Sequence, residues 1–260
     1  MFGAIIGDYV GSRYEGRGKR IKHKGFPLFS DDCRFTDDTI MTEAVAEALM
    51  QGEDFAKAMK RWGNMYPNAG YGGMFKAWLA KDGEEPYNSY GNGSAMRVSP
   101  VGWWCDTLEE TEALAEISAA VTHNHPEGVK GAQAVASAIY LARTKAGKDD
   151  IKKHIDTKYR YDLDWKLEEI RPKYRFNSTC QGSVPEAIIA FLEAEDFEDA
   201  VRNAVSLGGD ADTQAAIAGS IAEAYYGIPK HLQARVVKDL DEHMRGVVER
   251  WEKYLVMRKK

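Results

Sequence analysis

Gly208-Gly209-Asp210-Ala211-Asp212-Thr213, running on into Gln214-Ala215-Ala216-Ile217-Ala218-Gly219, decides how this chain folds. The first six residues put two carboxylates and a hydroxyl at the opening of a helix. The next six are so rich in Ala and Gly that a neighbouring backbone can come close in the interior. Far upstream, Phe35-Thr36-Asp37-Asp38-Thr39 repeats the acid-acid-hydroxyl pattern ahead of a second helix. There Ile40, Ala44, Val45 and Ala48 share one stripe, the pattern of a core-facing helix. Residues 2–12 read as a third helix for the interior, because Gly3, Gly7 and Gly11 lie at i, i+4 and i+8 on one face.

Helical periodicity continues outward from these three segments. It predicts helices over 53–63, 74–79, 107–121, 127–145 and 184–194, then Phe197 to Ser206, Thr213–Tyr226 and Pro229–Tyr254. Alternation of the β type is almost absent. The predicted fold is all-α, a single-domain helical bundle over 1–260 built around one binuclear metal site. Two stretches stand apart. Residues 64–102 are rich in Gly, Asn, Tyr and Pro, a loop long enough to expect a function. Residues 149–176 are crowded with Lys, Arg, Asp, Glu and Tyr, and read as a surface insertion or lid bordering the cleft.

Composition narrows the class. The chain has 260 residues, 44% of them hydrophobic, enough for one large domain. Its formal net charge of -5 implies no general nucleic-acid-binding surface. Cys33, Cys105 and Cys180 are an odd number without C-x-x-C spacing, which fits a reducing cytoplasm and excludes a zinc knuckle. The N-terminal run is too short for a signal peptide, and no stretch approaches transmembrane length. A cytoplasmic monomer is expected.

The acid clusters carry the chemistry. Carboxylate and hydroxyl oxygens are hard ligands, suited to Mg²⁺ or Mn²⁺ rather than zinc or copper. Four Asp side chains crowded in an apolar neighbourhood repel one another unless a cation neutralises them. The simpler reading of each cluster is an N-cap plus acids that suit the helix dipole. The pairing of two near-identical clusters favours two halves of one metal site. Elsewhere, His123 and His125 flank Asn124, but residues two apart do not share a helix face, so a role at a helix start or in hydrogen bonding is expected. Ser94 has no strand-turn-helix elbow around it, which argues against a serine nucleophile. Trp103-Trp104 reads as core more than as a base-stacking pair.

Several motifs together resemble the ADP-ribosylglycohydrolases, the family of the dinitrogenase-reductase-activating glycohydrolase. They are Gly3-Ala4-Ile5-Ile6-Gly7-Asp8 followed by Glu15, Phe35-Thr36-Asp37-Asp38-Thr39 and Gly91-Asn92-Gly93-Ser94-Ala95-Met96-Arg97. Thr122-His123-Asn124-His125-Pro126 and Ser206-Leu207-Gly208-Gly209-Asp210-Ala211-Asp212-Thr213 complete the set, in family order. The resemblance implies an all-α orthogonal helical bundle with a central binuclear metal cleft, two Mg²⁺ ions held there (with Mn²⁺ as a substitute) and hydrolysis of the bond between ADP-ribose and an acceptor. By position it implies Thr36, Asp37, Asp38, Asp210, Asp212 and Thr213 as metal ligands, with Asp37, Asp38 and Asp212 also counted as catalytic. Glu15 becomes a candidate base or water-positioning group, against a reading as a surface acid beside Arg13 and Arg17. Asn92, Gly93 and Ser94 become a diphosphate-binding loop acting through backbone amides, and His123 a hydrogen-bonding group near the adenosine. Arg97 either contacts phosphate or only braces that loop, and it is left out of the expected substrate contacts. The expected partner is an ADP-ribose conjugate such as an ADP-ribosylated protein. Two rival readings are a non-catalytic ADP-ribose-binding descendant of the fold and a metal-dependent nucleotide phosphohydrolase.

Overall fold

In the computed structural model, residues 1–16 and 18–258 are described. Among them the regular structure is helical, and strand pairing is confined to an isolated bridge between Gly91 and Thr179. The helices are α1 Phe2–Gly11, α2 Asp37–Gln51, α3 Phe55–Met65, α4 Gly73–Leu79, α5 Gly93–Met96, α6 Ser99–Trp104, α7 Leu108–Ala120 and α8 Pro126–Arg143. There follow α9 Lys148–Tyr159, α10 Leu167–Ile170, α11 Cys180–Leu192, α12 Phe197–Val205, α13 Ala211–Tyr226, α14 Lys230–Val237 and α15 Glu242–Arg258. None of the described helices is long and apolar enough to cross a membrane.

The centre is a seam between α1 and α13. All ten residues of α1 are buried, as are thirteen of the sixteen in α13. The glycines of α1 face the backbone of α13: Gly3 against the Gly219 carbonyl, Gly7 against Ala215, Gly11 against Ala211. A Cβ at any of these three would overlap the opposing backbone, so the spacing read from sequence is a packing requirement. Glu223, near the end of α13, accepts the Gly3 N–H at 2.7 Å and satisfies an orphan donor at the start of α1. Helices α2, α8, α11 and α12 pack around this pair.

Several boundaries depart from the expectations, each for a local reason. The expected helix over 184–194 begins at Cys180, because the Thr179 hydroxyl caps it by accepting the Gly182 N–H at 3.1 Å. The expected Pro229–Tyr254 helix is two. It breaks after Val237, where Leu240 turns into the core and the Asp241 carboxylate accepts the Met244 N–H at 2.9 Å to start α15. The 149–176 segment is not merely a surface ornament. Ile151, Ile155, Tyr159, Tyr161, Leu163 and Leu167 are buried, so its apolar residues join the core while its charges face water. Trp104 stacks on Tyr254 with ring centroids 4.3 Å apart, a packing role on the far side of α6.

A carboxylate-floored cleft as the candidate active site

The ends of α1, α2 and α13 meet at one place, and the acids there come from all three. Asp8 sits in the last turn of α1. Asp37 and Asp38 open α2, Asp210 and Asp212 open α13, and Glu15 lies just beyond α1. Carboxylate oxygens of Asp8, Asp38 and Asp212 all lie within 4.8 Å of one another, and so do those of Glu15, Asp210 and Asp212. Asp212 therefore belongs to both groups. The two sequence clusters, 172 positions apart between Asp38 and Asp210, are halves of one floor.

Capping accounts for only part of each cluster. Thr36 does cap α2, accepting the Asp38 N–H at 3.3 Å. Its hydroxyl also donates to Asp8 Oδ1 at 2.6 Å, so the residue serves both the helix end and the cluster. Asp210 occupies the N-cap position of α13 but makes no side-chain cap. Its Oδ2 instead accepts from the Asn92 amide at 2.8 Å. An N-cap alone gives no reason to aim a buried carboxylate away from the amides of its own helix.

Asp8 was absent from the site residues expected from sequence. Its two oxygens accept from the Thr36 N–H at 2.8 Å, the Thr36 hydroxyl, the Thr39 N–H at 3.1 Å and the Thr39 hydroxyl. It ties α1 to the start of α2 and fixes the orientation of Thr36. The signal was a lone acid in the apolar run Ala4-Ile5-Ile6-Gly7-Asp8-Tyr9-Val10, since a buried carboxylate needs partners.

The electrostatics are those of acids held against their preference. Burial pushes the Asp8 carboxyl up to about 6, against the lowering effect of its four threonine hydrogen bonds. Burial, then Asp8, then Asp210 and Glu15 raise Asp37 to about 7. Burial likewise raises Asp210 to about 6, opposed by the Asn92 amide. Asp38 and Asp212 are raised well above the ordinary range, first by burial and then by neighbouring carboxylates. Thr213 is close by: its hydroxyl lies 3.3 Å from Asp38 Oδ2. Asp38 Oδ1 is buried without any hydrogen-bond partner.

Above this floor opens a cleft of about 540 Å³. Glu15, Asp37, Asp38, Asp210, Asp212 and Thr213 line it on the floor side. Tyr71, Phe75, Tyr87, Tyr90 and the 89–93 loop form walls, and Phe176 joins them. Asp37 lies outside both carboxylate groups but faces them, and its Oδ1 would lie 3.3 Å from a Cβ at Gly70. Arg13 reaches Asp32 at 3.9 Å, and Arg17 lies outside the described residues; a Glu15 carboxylate oxygen lies with those of Asp210 and Asp212.

The 91–97 loop differs in detail from the expectation. Ser94 is buried beneath the loop and its hydroxyl donates to the Gly128 carbonyl at 2.7 Å, so it is not part of the cleft lining. Asn92 lines the cleft, but its side chain holds Asp210 and Ser183 and its N–H donates to the Ser178 carbonyl at 2.8 Å. It positions a carboxylate rather than offering a free amide. Gly93 lies against His123: a Cβ there would sit 3.1 Å from Nε2. His123 lines the cleft, and its Nδ1 pairs with the Thr122 hydroxyl at 2.7 Å. Burial, reinforced by Arg97, holds this imidazole well below its usual range and therefore neutral. Arg97 is buried, lines the cleft and donates to Thr122 Oγ1 at 2.8 Å, a contact that braces the loop. His125 caps α8, accepting the Glu127 N–H at 3.1 Å. Of segment 149–176, Phe176 is the residue in the cleft wall.

An all-α protein with a buried carboxylate centre under an open cleft is the class that fold and site define. Residues 1–259 match the family model described as ADP-ribosylglycohydrolase, and the chain belongs to that family of glycohydrolase enzymes. It is similar to ADP-ribosylhydrolase ARH3 of Homo sapiens, 28% identical over 307 residues, covering 88% of this chain and 84% of that protein. It is also similar to ADP-ribosylarginine hydrolase Tri1 of Pseudomonas putida, 28% identical over 267 residues, covering 88% of this chain and 70% of that protein. A solved structure described as an ADP-ribosylglycohydrolase-related protein complex shares the fold, with a TM-score of 0.71 at 24% identity over 95% of this chain and 94% of that one.

Proposed function

We propose that this enzyme hydrolyses the glycosidic bond between ADP-ribose and an acceptor, with Mg²⁺ held on the carboxylate floor. The observation that carries this reading is Asp212, shared between two groups of carboxylates at the base of the cleft. Such sharing suits two cations side by side. The cleft volume falls in the range of small-molecule sites.

The residues fit a hard cation. Every donor is oxygen, the acids resist ionisation without a counter-charge, and Asp38 Oδ1 is an orphan in the interior. Thr36, Asp37, Asp38, Asp210, Asp212, Thr213 and Glu15 would hold it, while Asp8 stays engaged with its threonines. When bound, the cation supplies Lewis acidity toward ribose hydroxyls and water. The chain's own groups do the rest. The carboxylates offset positive charge, which favours an oxocarbenium-like transition state at the anomeric carbon. Glu15, at the edge of the group, positions water and accepts its proton. Tyr71, Phe75 and Tyr87 exclude bulk water, Gly91 and Gly93 admit the diphosphate closely, and neutral His123 offers a hydrogen bond beside them. The enzyme is expected to act as a cytoplasmic monomer.

The test is incubation of the purified protein with ADP-ribosylated arginine and serine peptides, with Mg²⁺ or with chelator, and product analysis. Free ADP-ribose that depends on Mg²⁺ supports the proposal. AMP or phosphate as product would replace it with phosphohydrolysis. Tight ADP-ribose binding without turnover on any conjugate would leave a binding protein.

A further inference from the structure

Two glycines stand directly before Asp210, and each has a different segment of the chain against it. Gly208 holds a left-handed φ of +61°, and a Cβ there would lie 2.7 Å from the Ile21 carbonyl oxygen and 2.9 Å from Lys22 Cε. A Cβ at Gly209 would lie 2.3 Å from Cε1 of the Tyr174 ring. The turn into α13 is therefore gripped by the 21–22 loop and by the end of the charged 149–176 segment. The two grips are fastened to each other and to the turn. Lys22 Nζ donates to the Tyr174 carbonyl at 2.8 Å and also to the Leu207 carbonyl. The Tyr174 hydroxyl donates to the Gly182 carbonyl and accepts from Gln214 Nε2 at 3.0 Å, which fixes the ring between α11 and the first turn of α13. Arg171 Nε adds a hydrogen bond to Ser206 Oγ at 2.9 Å. Neither Tyr174 nor Lys22 lines the cleft.

Resting on the glycohydrolase reading above, we infer that Tyr174 and Lys22 are positioning residues: together they clamp the Gly208–Gly209 turn and so aim the Asp210 carboxylate at the cation site. The argument starts from the backbone. Two adjacent glycines make the most pliable stretch a chain can have. Asp210 is the residue they deliver, and it makes no side-chain cap that would tie it to its own helix. The like charge of Glu15 pushes on it. A ligand for a cation must nevertheless stay within about 0.5 Å of its working position. The Asn92 amide reaches the carboxylate itself, whereas the Tyr174 ring and the Lys22 ammonium act on the backbone that carries it. Both glycines are then required twice over, for the bend at 208 and for the close approach of the ring at 209. The clamp also gives the charged 149–176 segment a task. Its end serves the floor of the site through Tyr174, while Phe176 serves the wall. A residue that acts on the floor alone changes cation affinity and turnover but leaves conjugate binding as it was.

The experiment uses the full chain with Tyr174→Ala, Tyr174→Phe, Lys22→Met and Lys22→Arg, Lys22 being exposed and safe to change. Three quantities are read: Mg²⁺ affinity by titration calorimetry, kcat and KM on an ADP-ribosylated peptide, and amide hydrogen exchange without Mg²⁺. Tyr174→Ala is expected to weaken Mg²⁺ binding by roughly 10–100-fold, the range of outer partners at metal sites. Its kcat should fall with KM unchanged, and exchange should quicken over residues 206–212 but not in α1. Tyr174→Phe keeps the ring on Gly209 and should recover most of the loss. Lys22→Met should move all three readouts in the same direction, and Lys22→Arg, which keeps donors for the two carbonyls, should bring them back. Parental Mg²⁺ affinity in folded Tyr174→Ala and Lys22→Met would overturn the clamp. So would a raised KM at unchanged kcat, which would place Tyr174 with the substrate walls. Faster exchange throughout the chain would make both residues general scaffold and overturn it too. If the parent neither binds Mg²⁺ nor cleaves the conjugate, the glycohydrolase reading fails, while exchange still decides the clamp: protection lost over 206–212 alone upholds it, and unchanged protection ends it.

Discussion

The two ends of one helix pair are built on opposite principles. Along the α1–α13 seam, glycines meet backbone carbonyls, and the acid at its far end, Glu223, is paired with the Met1 ammonium at 2.9 Å. At the other end the same helices hold Asp8, Asp210 and Asp212 in a crowd of acids raised by burial and by one another. The seam is stable for ordinary reasons of close packing. The acid end is unfavourable in isolation, and it persists because the seam and the threonine hydrogen bonds over-determine where its side chains lie. Local strain of this kind concentrates at functional sites and is offset elsewhere in the fold. The contrast teaches that the glycines serve the acids: they set the helix spacing that puts Asp8 within reach of Asp212.

The sharpest break falls on the residue common to both carboxylate groups. Asp212→Asn is expected to lower hydrolysis by on the order of 10³-fold or more, beyond the 10–100-fold typical of outer partners at metal sites. Melting temperature without Mg²⁺ should hold or rise, since one repelling charge is gone. Activity within tenfold of the parent enzyme at saturating Mg²⁺ would sink the assignment.

Breaking the other end tests the dependence of one upon the other. Gly7→Val places branched carbons into the Ala215 backbone, so α1 and α13 must separate. Overpacking of this kind costs about 1–3 kcal/mol, and more where only rigid backbone is available to yield. For a chain of this size that is roughly 2–4 °C of melting temperature per kcal/mol. Activity should fall in soluble protein as well, although residue 7 does not line the cleft. Full activity alongside a large stability loss would separate scaffold from site and refute the link.

How much of this was legible in the sequence follows the same division. The glycine spacing of α1 and the Ala-rich run of α13 announced close helix packing, because periodicity alone carries that information. The acid-acid-hydroxyl runs announced a site, because acids beside core helices demand an explanation. Asp8 was missed because one acid in an apolar helix carries no spacing pattern; its partners Thr36 and Thr39 lie on another element. Ser94 was misassigned because a glycine loop looks the same in sequence whether its hydroxyl faces a ligand or the Gly128 carbonyl beneath. The break of the last expected helix at 238–241 depended on Leu240 reaching the core, a tertiary event that local pattern does not record.

The acid end also makes stability depend on pH with a definite sign. Asp8 and Asp210 have folded-state values near 6 and Asp37 near 7, against an ordinary value of 3.8. Between 3.8 and those values the folded state binds more protons than the unfolded chain, so stability falls as pH rises through that window. Without divalent cation, melting temperature should therefore drop between about pH 4 and pH 7. A carboxyl whose folded pKa lies one pH unit above its unfolded value loses about 1.4 kcal/mol of stability across the window. Mg²⁺ should restore more stability at pH 8 than at pH 5, where protons already neutralise part of the cluster. Calorimetric scans at both pH values, with and without Mg²⁺, check the sign. A larger Mg²⁺ effect at pH 5 would show that the cluster is not where the ion acts.

The mildest change probes the wall opposite the floor. A Cβ at Gly93 would lie 3.1 Å from His123 Nε2, tighter than ordinary contact but against a side chain rather than backbone. The ring must shift by a few tenths of an ångström or break its 2.7 Å pairing with Thr122. Gly93→Ala is thus expected to leave folding and Mg²⁺ binding unchanged. ADP-ribose affinity should weaken by about tenfold, or about 1.4 kcal/mol, because loop and imidazole no longer present their joint surface to the diphosphate. Titration calorimetry of the two ligands separates the walls from the floor. If ADP-ribose binds Gly93→Ala as tightly as the parent, the loop does not hold the diphosphate. If Mg²⁺ affinity falls as well, the change has travelled through Asn92 to Asp210, and floor and wall are one rigid unit rather than two.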